Sequence, residues 1–263
     1  GDTFNFYGHQ GISSVAVGAE SGYTNQGKQS VAVGGLAGYE NQLFSAVAVG
    51  YRAGAYGQNQ RAVAVGEDAG YGAQGEDAVA LGQRAGYSNQ GKLSVAIGNT
   101  AGQFSQGQAA IAIGQGAGSS TQGYNAVAIG QNAGYTNQGG SSVAIGYYAG
   151  TNAQSYNSVS IGTNAGGEFQ GVQSVAIGAQ AGQYFQDGDT VAVGMQSGGS
   201  YSYGVNAVSG SGTTIRLHSY NAQYIRQGQV IQAPNTGAIP LGAFVTNISG
   251  EDITMNQNLT ASL

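Results

Sequence analysis

A chain of 263 residues with 49 glycines, two prolines, no tryptophan and 7% charged side chains departs from ordinary globular composition. Its formal charge of −5 is scattered, with no basic stripe for a phosphate backbone to follow, so nucleic acid is not an expected partner. The absence of cysteine excludes a disulfide framework and a thiolate metal site.

The chain opens on "GDTFNFYGHQG", which is no charged and apolar leader, and no later apolar run approaches the roughly 20 residues that span a bilayer. Membrane insertion is therefore not expected. Residues 7–14, "YGHQGISS", match "YTNQGKQS" at 23–30, so residues 1–14 read as an N-terminal cap and worn half-coil.

From residue 15 to 211 the text repeats. Gly18, Gly34, Gly50, Gly66, Gly82, Gly98, Gly114, Gly130, Gly146, Gly162, Gly178 and Gly194 stand sixteen residues apart without insertion or deletion. A fixed period of this kind marks a stacked architecture. Before each glycine, runs such as Val95-Ala96-Ile97 alternate large and small in the manner of a short strand. A helix would lose about 1 kcal/mol at each interior glycine. A second glycine follows four residues after the first, always behind Ala or Ser, and reads as a corner that needs positive φ or close backbone approach. Each unit is then strand, corner, second short strand such as "YTNQ", and return turn. The predicted fold class is all-β: a parallel β-solenoid, or β-roll, of about twelve 16-residue coils forming a rod on the order of 58 Å long.

Stacking places like above like. Val15, Val31, Val47, Val63, Val79 and Val95 form one apolar column; Val17, Val33, Val49, Val65, Leu81 and Ile97 form a second. Between them, on the opposite pleat face, runs an alanine column interrupted by Ser160. Ordering sixteen backbones costs more than two large aliphatics per coil return. The flat alanine face is therefore expected to meet another chain. Gln26, Gln42, Gln58, Gln74, Gln90, Gln106, Gln122, Gln138, Gln154, Gln170 and Gln186 form a polar column. A primary amide donates to one copy and accepts from another, so this column reads as an internal structural ladder, with a solvent-facing ligand row as the alternative. Tyr23, Tyr39, Tyr71, Tyr87 and Tyr135 each follow the second glycine. They are candidate surface-glycan contacts, against the plainer reading of corner packing.

After Gly198 the pattern decays, although Gly210 keeps the spacing, and this stretch reads as a capping coil with a boundary near residue 211. Residues 212–263 form a predicted small C-terminal β-module, with candidate strands "TTIRLHSY", "QVIQA", "AFVTNIS" and "DITMNQN" between glycine or proline turns.

Catalytic groups are sparse. His9 and His218 have no metal-ligand spacing, no aspartate column suggests calcium, and no phosphate loop ends in Gly-Lys-Ser/Thr. Glu67-Asp68 and Glu76-Asp77 read as solvated turns, the alternative being a carboxylate pair across a sugar bond. No catalytic, metal or cofactor-binding residue is assigned, and no cofactor is expected.

The "SVAIG" strand followed by a small residue and a second glycine resembles the head repeat of trimeric autotransporter adhesins over about residues 12–200, departing in its sixteen-residue period and its glutamine column. The form "VAIG..AG..NQG..A" also resembles repeats in tail fibres and virion appendages of bacteriophages and large aquatic viruses. The stretch "GQVIQAPNTGAIPLGAFVTNISGEDITMNQNLTAS" is similar to a small module of bacteriophage fibre proteins. These resemblances imply a non-enzymatic, extracellular fibre or adhesion protein: a segment of a phage tail fibre or virion appendage. They further imply a homotrimer, with other virion or fibre subunits and a host cell-surface glycan as partners. The alternatives are a cell-surface trimeric adhesin head and a polysaccharide-depolymerising fibre.

Overall fold

The computed structural model describes residues 10–198, 207–211, 214–217, 245–249 and 252–255. The chain divides into two units, Gly1–Ser200 and Tyr201–Leu263.

The first unit is an all-β parallel solenoid. Its main sheet has twelve strands of three residues, from Val15–Val17 to Val191–Val193, each paired in parallel with the copy sixteen residues away. Register never slips: Val15 pairs with Val31, Ala112 with Ala128, and Ile161 with Ile177. A second sheet is built from strands that end on the column glutamine, such as Tyr56–Gln58, Gly72–Gln74, Ser88–Gln90 and Phe104–Gln106. It resumes as Asn152–Gln154, Glu168–Gln170 and Tyr184–Gln186, with single bridges Gln106–Gln122 and Gln122–Gln138 between. Gln10 bridges to Gln26, so the described end of the worn half-coil continues the stack, while residues 1–9 lie outside the described residues.

Corners are made by left-handed backbone, and glycine supplies only part of it. In one coil Arg84, Asn89 and Leu93 have φ of 54°, 54° and 59°. Such a residue costs about 1–2 kcal/mol when it is not glycine. The gain is directional. Strand residues send N–H groups to the following coil, as Val95 does to Ala110, whereas Arg84 and Leu93 send theirs back to Glu67 and Glu76, both at 2.9 Å. Each coil is thereby tied to both neighbours, and few backbone groups go unpaired.

The core reverses one expectation. Alanines at the strand centre, including Ala32, Ala64, Ala96 and Ala128, are 0% exposed and point into the coil. The flanking aliphatics point out: Val17 is 56% exposed, Leu81 44% and Ile177 38%. The alanine face therefore cannot meet another chain. The reason is lateral room. A Cβ added to Gly70 would lie 3.2 Å from Cβ of Ala64 and 2.8 Å from Oε1 of Gln74, so a branched side chain has no space at the alanine position.

The two glycine columns answer to different neighbours. Gly130 has φ of +123°, and a Cβ there would meet the carbonyl oxygen of Gly146 in the next coil at 2.6 Å. Gly134, four residues on, has φ of +55°, and its Cβ would meet the Gln138 amide of its own coil at 2.6 Å. Close approach between coils explains the first, and a left-handed corner over a buried amide explains the second.

In the second unit, Ala207–Ser211, Thr214–Leu217, Val245–Ser249 and Asp252–Met255 form one antiparallel sheet, the last strand lying between Thr214–Leu217 and Val245–Ser249. Ala207–Ser211 thus pairs with Thr214–Leu217 as part of this sheet, where a capping coil was expected. The candidate strand "QVIQA" and His218 lie outside the described residues.

Candidate functional site

The glutamine column lies inside the coil. Gln26, Gln42, Gln58, Gln74, Gln90, Gln106, Gln122, Gln138, Gln154, Gln170 and Gln186 are all at most 6% exposed. Every one donates from Nε2 to the carbonyl of the first main-sheet residue of its own coil at 2.7–2.9 Å, as Gln26 does to Val15 and Gln186 to Val175. Most donate again to Oε1 of the next glutamine, at 3.0 Å for Gln42 to Gln58 and 3.1 Å for Gln122 to Gln138. Each amide thus links the two sheets and also links coils. The chain of amides lapses around Gln90, where Oε1 of Gln90 and of Gln106 has no partner. At Ser160, the break in the alanine column, the hydroxyl takes the Nε2 proton of Gln154 at 3.1 Å and donates to Oε1 of Gln170.

Outside the coil, the structure brings together four of the five candidate tyrosines and two rings that sequence reading passed over. Tyr23, Tyr39, Tyr56, Tyr71, Tyr87 and Phe104 follow one another with centroids 5.0, 5.9, 5.1, 5.0 and 6.2 Å apart. Where coil spacing would put a tyrosine at residue 55 there is a buried alanine, and the next residue, Tyr56, supplies the ring instead. Gln103 and Phe104 repeat that exchange. The signal was present as an aromatic displaced by one position. Tyr135 is 42% exposed and outside this row of rings. Burial pushes the Tyr39 and Tyr71 hydroxyls above the ordinary tyrosine range, helped by Glu20 at Tyr39 and by Tyr56 at Tyr71.

Three of the four carboxylates in the acidic pairs are ion-paired, Glu67 instead accepting from the Gln83 amide, and Asp68 is buried where a solvated turn was expected. Asp68 is 1% exposed beneath Arg52, whose guanidinium donates to both carboxylate oxygens at 2.7 and 2.9 Å, with Arg84 at 3.6 Å on its other side. Arg52 also lies over the Tyr51 and Tyr71 rings, 5.3 and 5.0 Å from their centroids. Arg61 holds Asp77 in the same forked manner and also pairs with Glu76. That fork lowers the Asp77 carboxyl below its usual range and raises the Arg61 guanidinium. Among the described residues no three His, Cys, Asp or Glu side chains cluster as a metal site would require, and no helix is long and apolar enough to cross a membrane.

The third outward feature is the main sheet itself, whose Val and Ile columns form a continuous apolar face twelve strands long. No curated protein and no solved structure matches the chain. Residues 105–133 match the YadA head domain repeat, in two copies.

Proposed function

We propose that the chain is a non-enzymatic, extracellular structural shaft of a fibre or adhesin, assembled as a homotrimer through its Val and Ile columns. One observation carries this reading: the large aliphatics of the main sheet point out of the coil, with Val15 46% exposed, Leu81 44% and Ile161 36%. A contiguous apolar strip of this length marks a protein contact. Identical chains related by an axis along the rod would bury it on every copy. The head-repeat match at residues 105–133 supports three as the number and adhesion as the role. A segment of a phage tail fibre or virion appendage is the finer reading, resting on the sixteen-residue repeat and the C-terminal β-module. The cell-surface adhesin head is the second, favoured by the same match. Asp68 is buried beneath Arg52, so the Glu67-Asp68 pair does not present two carboxylates to a sugar bond, which supports a non-enzymatic role over polysaccharide cleavage.

Light scattering on the purified chain tests the assembly. Three times the 26.3 kDa chain mass is expected. A particle of one chain's mass overturns the proposal. New reducing ends after incubation with capsular polysaccharide overturn the non-enzymatic role, and labelling of virion fibres by an antibody against the chain decides between virion and cell surface.

A further inference from the structure

Among the described residues, the inner amide ladder lapses without a substitute at two successive coil interfaces. Gln26 donates to Gln42, Gln42 to Gln58 and Gln58 to Gln74 at 3.2, 3.0 and 3.1 Å. The ladder resumes from Gln106 through Gln122 and Gln138 to Gln154 at 3.1, 3.1 and 3.2 Å. In between, Gln74 donates only to the carbonyls of Val63 and Ala78, and Gln90 only to that of Val79, so Oε1 of Gln90 and of Gln106 is buried without a partner. At the other break, between Gln154 and Gln170, the Ser160 hydroxyl relays the contact. The interfaces of Gln74 with Gln90 and of Gln90 with Gln106 therefore lack the inner side-chain bond, and each leaves a desolvated acceptor unmet.

The outer turns carry cross-coil ties at the same place. Glu67, Asp68 and Glu76 belong to the coil that starts at Gly66, and Gln83, Arg84 and Lys92 to the coil that starts at Gly82. Across that interface Arg84 lies 3.6 Å from Asp68, Lys92 lies 3.7 Å from Glu76, and Gln83 donates to Glu67 at 3.0 Å. One coil on, Asn99 donates to Oε1 of Gln83 at 2.9 Å. Arg52 and Arg61 hold Asp68 and Glu76 from the preceding coil, so both acids are fixed where Arg84 and Lys92 reach them. From Leu93 to Gly167, the stretch that contains the resumed ladder, the sequence has no charged residue. Outer ties cluster beside the lapse, and the resumed ladder does without charge.

We infer that these outer ties form a clasp, which holds the coils of Gly66, Gly82 and Gly98 together in place of the missing amide bonds and which salt releases. The Arg84 and Lys92 side chains are 54% and 66% exposed, open to counter-ions. The screening length falls from about 30 Å at 0.01 M ionic strength to about 3 Å at 1 M, which is shorter than either ion-pair distance. Uncharged amide bonds inside the coil are not screened, so the rest of the stack holds. The backbone ladder is continuous through the lapse, with Val79 donating to Ser94 and Leu93 to Glu76, both at 2.9 Å. Single exposed ion pairs contribute little, so release loosens these rungs locally and leaves the solenoid folded. The shaft thereby has a built-in place to yield. The clasp residues lie in turns and not on the Val and Ile columns, so the inference does not depend on the trimer.

Hydrogen exchange of the full chain, read by mass spectrometry, tests the inference. Raising sodium chloride from about 10 mM to about 1 M should speed exchange in peptides covering residues 75–98 by about threefold or more relative to residues 122–145, whose strands belong to the same main sheet. In the Arg84→Gln/Lys92→Gln double variant, exchange over 75–98 should already be fast at low salt and gain less than about twofold from added salt. Arg61→Gln removes outer ties at an interface where Gln58 still donates to Gln74, and should leave exchange around Val63 within about twofold of the unaltered chain. Exchange over 75–98 that ignores salt, equal acceleration of both stretches, or a double variant that responds to salt as the unaltered chain does overturns the inference. So does an Arg61→Gln variant loosened as much as the double variant, because the missing amide bonds would then be irrelevant. Each outcome compares two stretches of one particle and reads the same whether light scattering finds one chain or three.

Discussion

Nε2 of Gln42 donates to Oε1 of Gln58 at 3.0 Å while also donating to the carbonyl of Val31 at 2.8 Å. One side chain thus joins coil to coil and sheet to sheet, in an interior whose remaining volume is mostly alanine. A buried amide in such a place contributes by satisfying groups that would otherwise be orphaned, and its removal costs more than the bonds themselves.

Gln122 is the clearest test, with Nε2 bonded to Ile111 at 2.7 Å and to Gln138 at 3.1 Å. Gln122→Leu leaves the Ile111 carbonyl and two neighbouring amides short of partners, and should destabilise the chain by about 2–4 kcal/mol in urea unfolding. Gln122→Glu adds a sign test. Burial against carbonyl oxygens raises the folded pKa of the new carboxyl above its unfolded value. The variant should therefore be most stable below the unfolded glutamate value of about 4.3 and lose stability as pH rises above it.

Two glycines with positive φ should respond differently to the same change. Gly130→Ala drives a methyl into the Gly146 carbonyl at 2.6 Å, whereas at Gly57, with φ of +75°, the nearest atoms are 3.9 Å away. Gly57→Ala should cost about 1–2 kcal/mol, the left-handed strain alone. Gly130→Ala should cost several kcal/mol, because coil-to-coil spacing itself must change. Thermal unfolding of the two variants gives the comparison.

Ser160→Ala restores the alanine column. With the hydroxyl gone, Gln154 is free to reach Gln170 directly, as Gln138 reaches Gln154 at 3.2 Å. The change should stay within about 1 kcal/mol, against the 1–3 kcal/mol expected if a buried partner were left unsatisfied. Ser160→Val should destabilise strongly, since Gly166 already leaves no room beside that hydroxyl.

Tyr39 and Tyr71 have raised pKa values from burial and from the groups around them. Their neutral forms are favoured in the folded chain. Stability is therefore fully present below the unfolded tyrosine value of about 10 and falls as pH rises past it. Ultraviolet titration should show a late-ionising fraction that disappears in denaturant. A single transition at the ordinary value for all tyrosines would contradict the packing of the row.

Much of this molecule was legible as text. Sixteen-residue spacing without a single slip led directly to parallel stacking in register, since a strand cannot shift by one residue without turning every side chain over. The glutamine column and the second-glycine corner could be named from repetition alone. The left-handed residues that are not glycine, such as Leu93 and Phe169, were hidden because no local preference marks them. They adopt that backbone because their N–H groups then find a carbonyl in the preceding coil. Tyr56 and Phe104 were missed because each sits one place out of column.

Sequence by itself determined the period, the identity of each column and the pairing of every rung, because repetition and hydrogen-bond register need no knowledge of the interior. Alternation along a strand says only that Val and Ala lie on opposite faces; hydrophobicity alone would have put Val inside. Tertiary structure decided otherwise. A coil of sixteen residues turned by left-handed corners encloses just enough volume for alanine methyls and one amide, so the bulkier aliphatics are left on the outside.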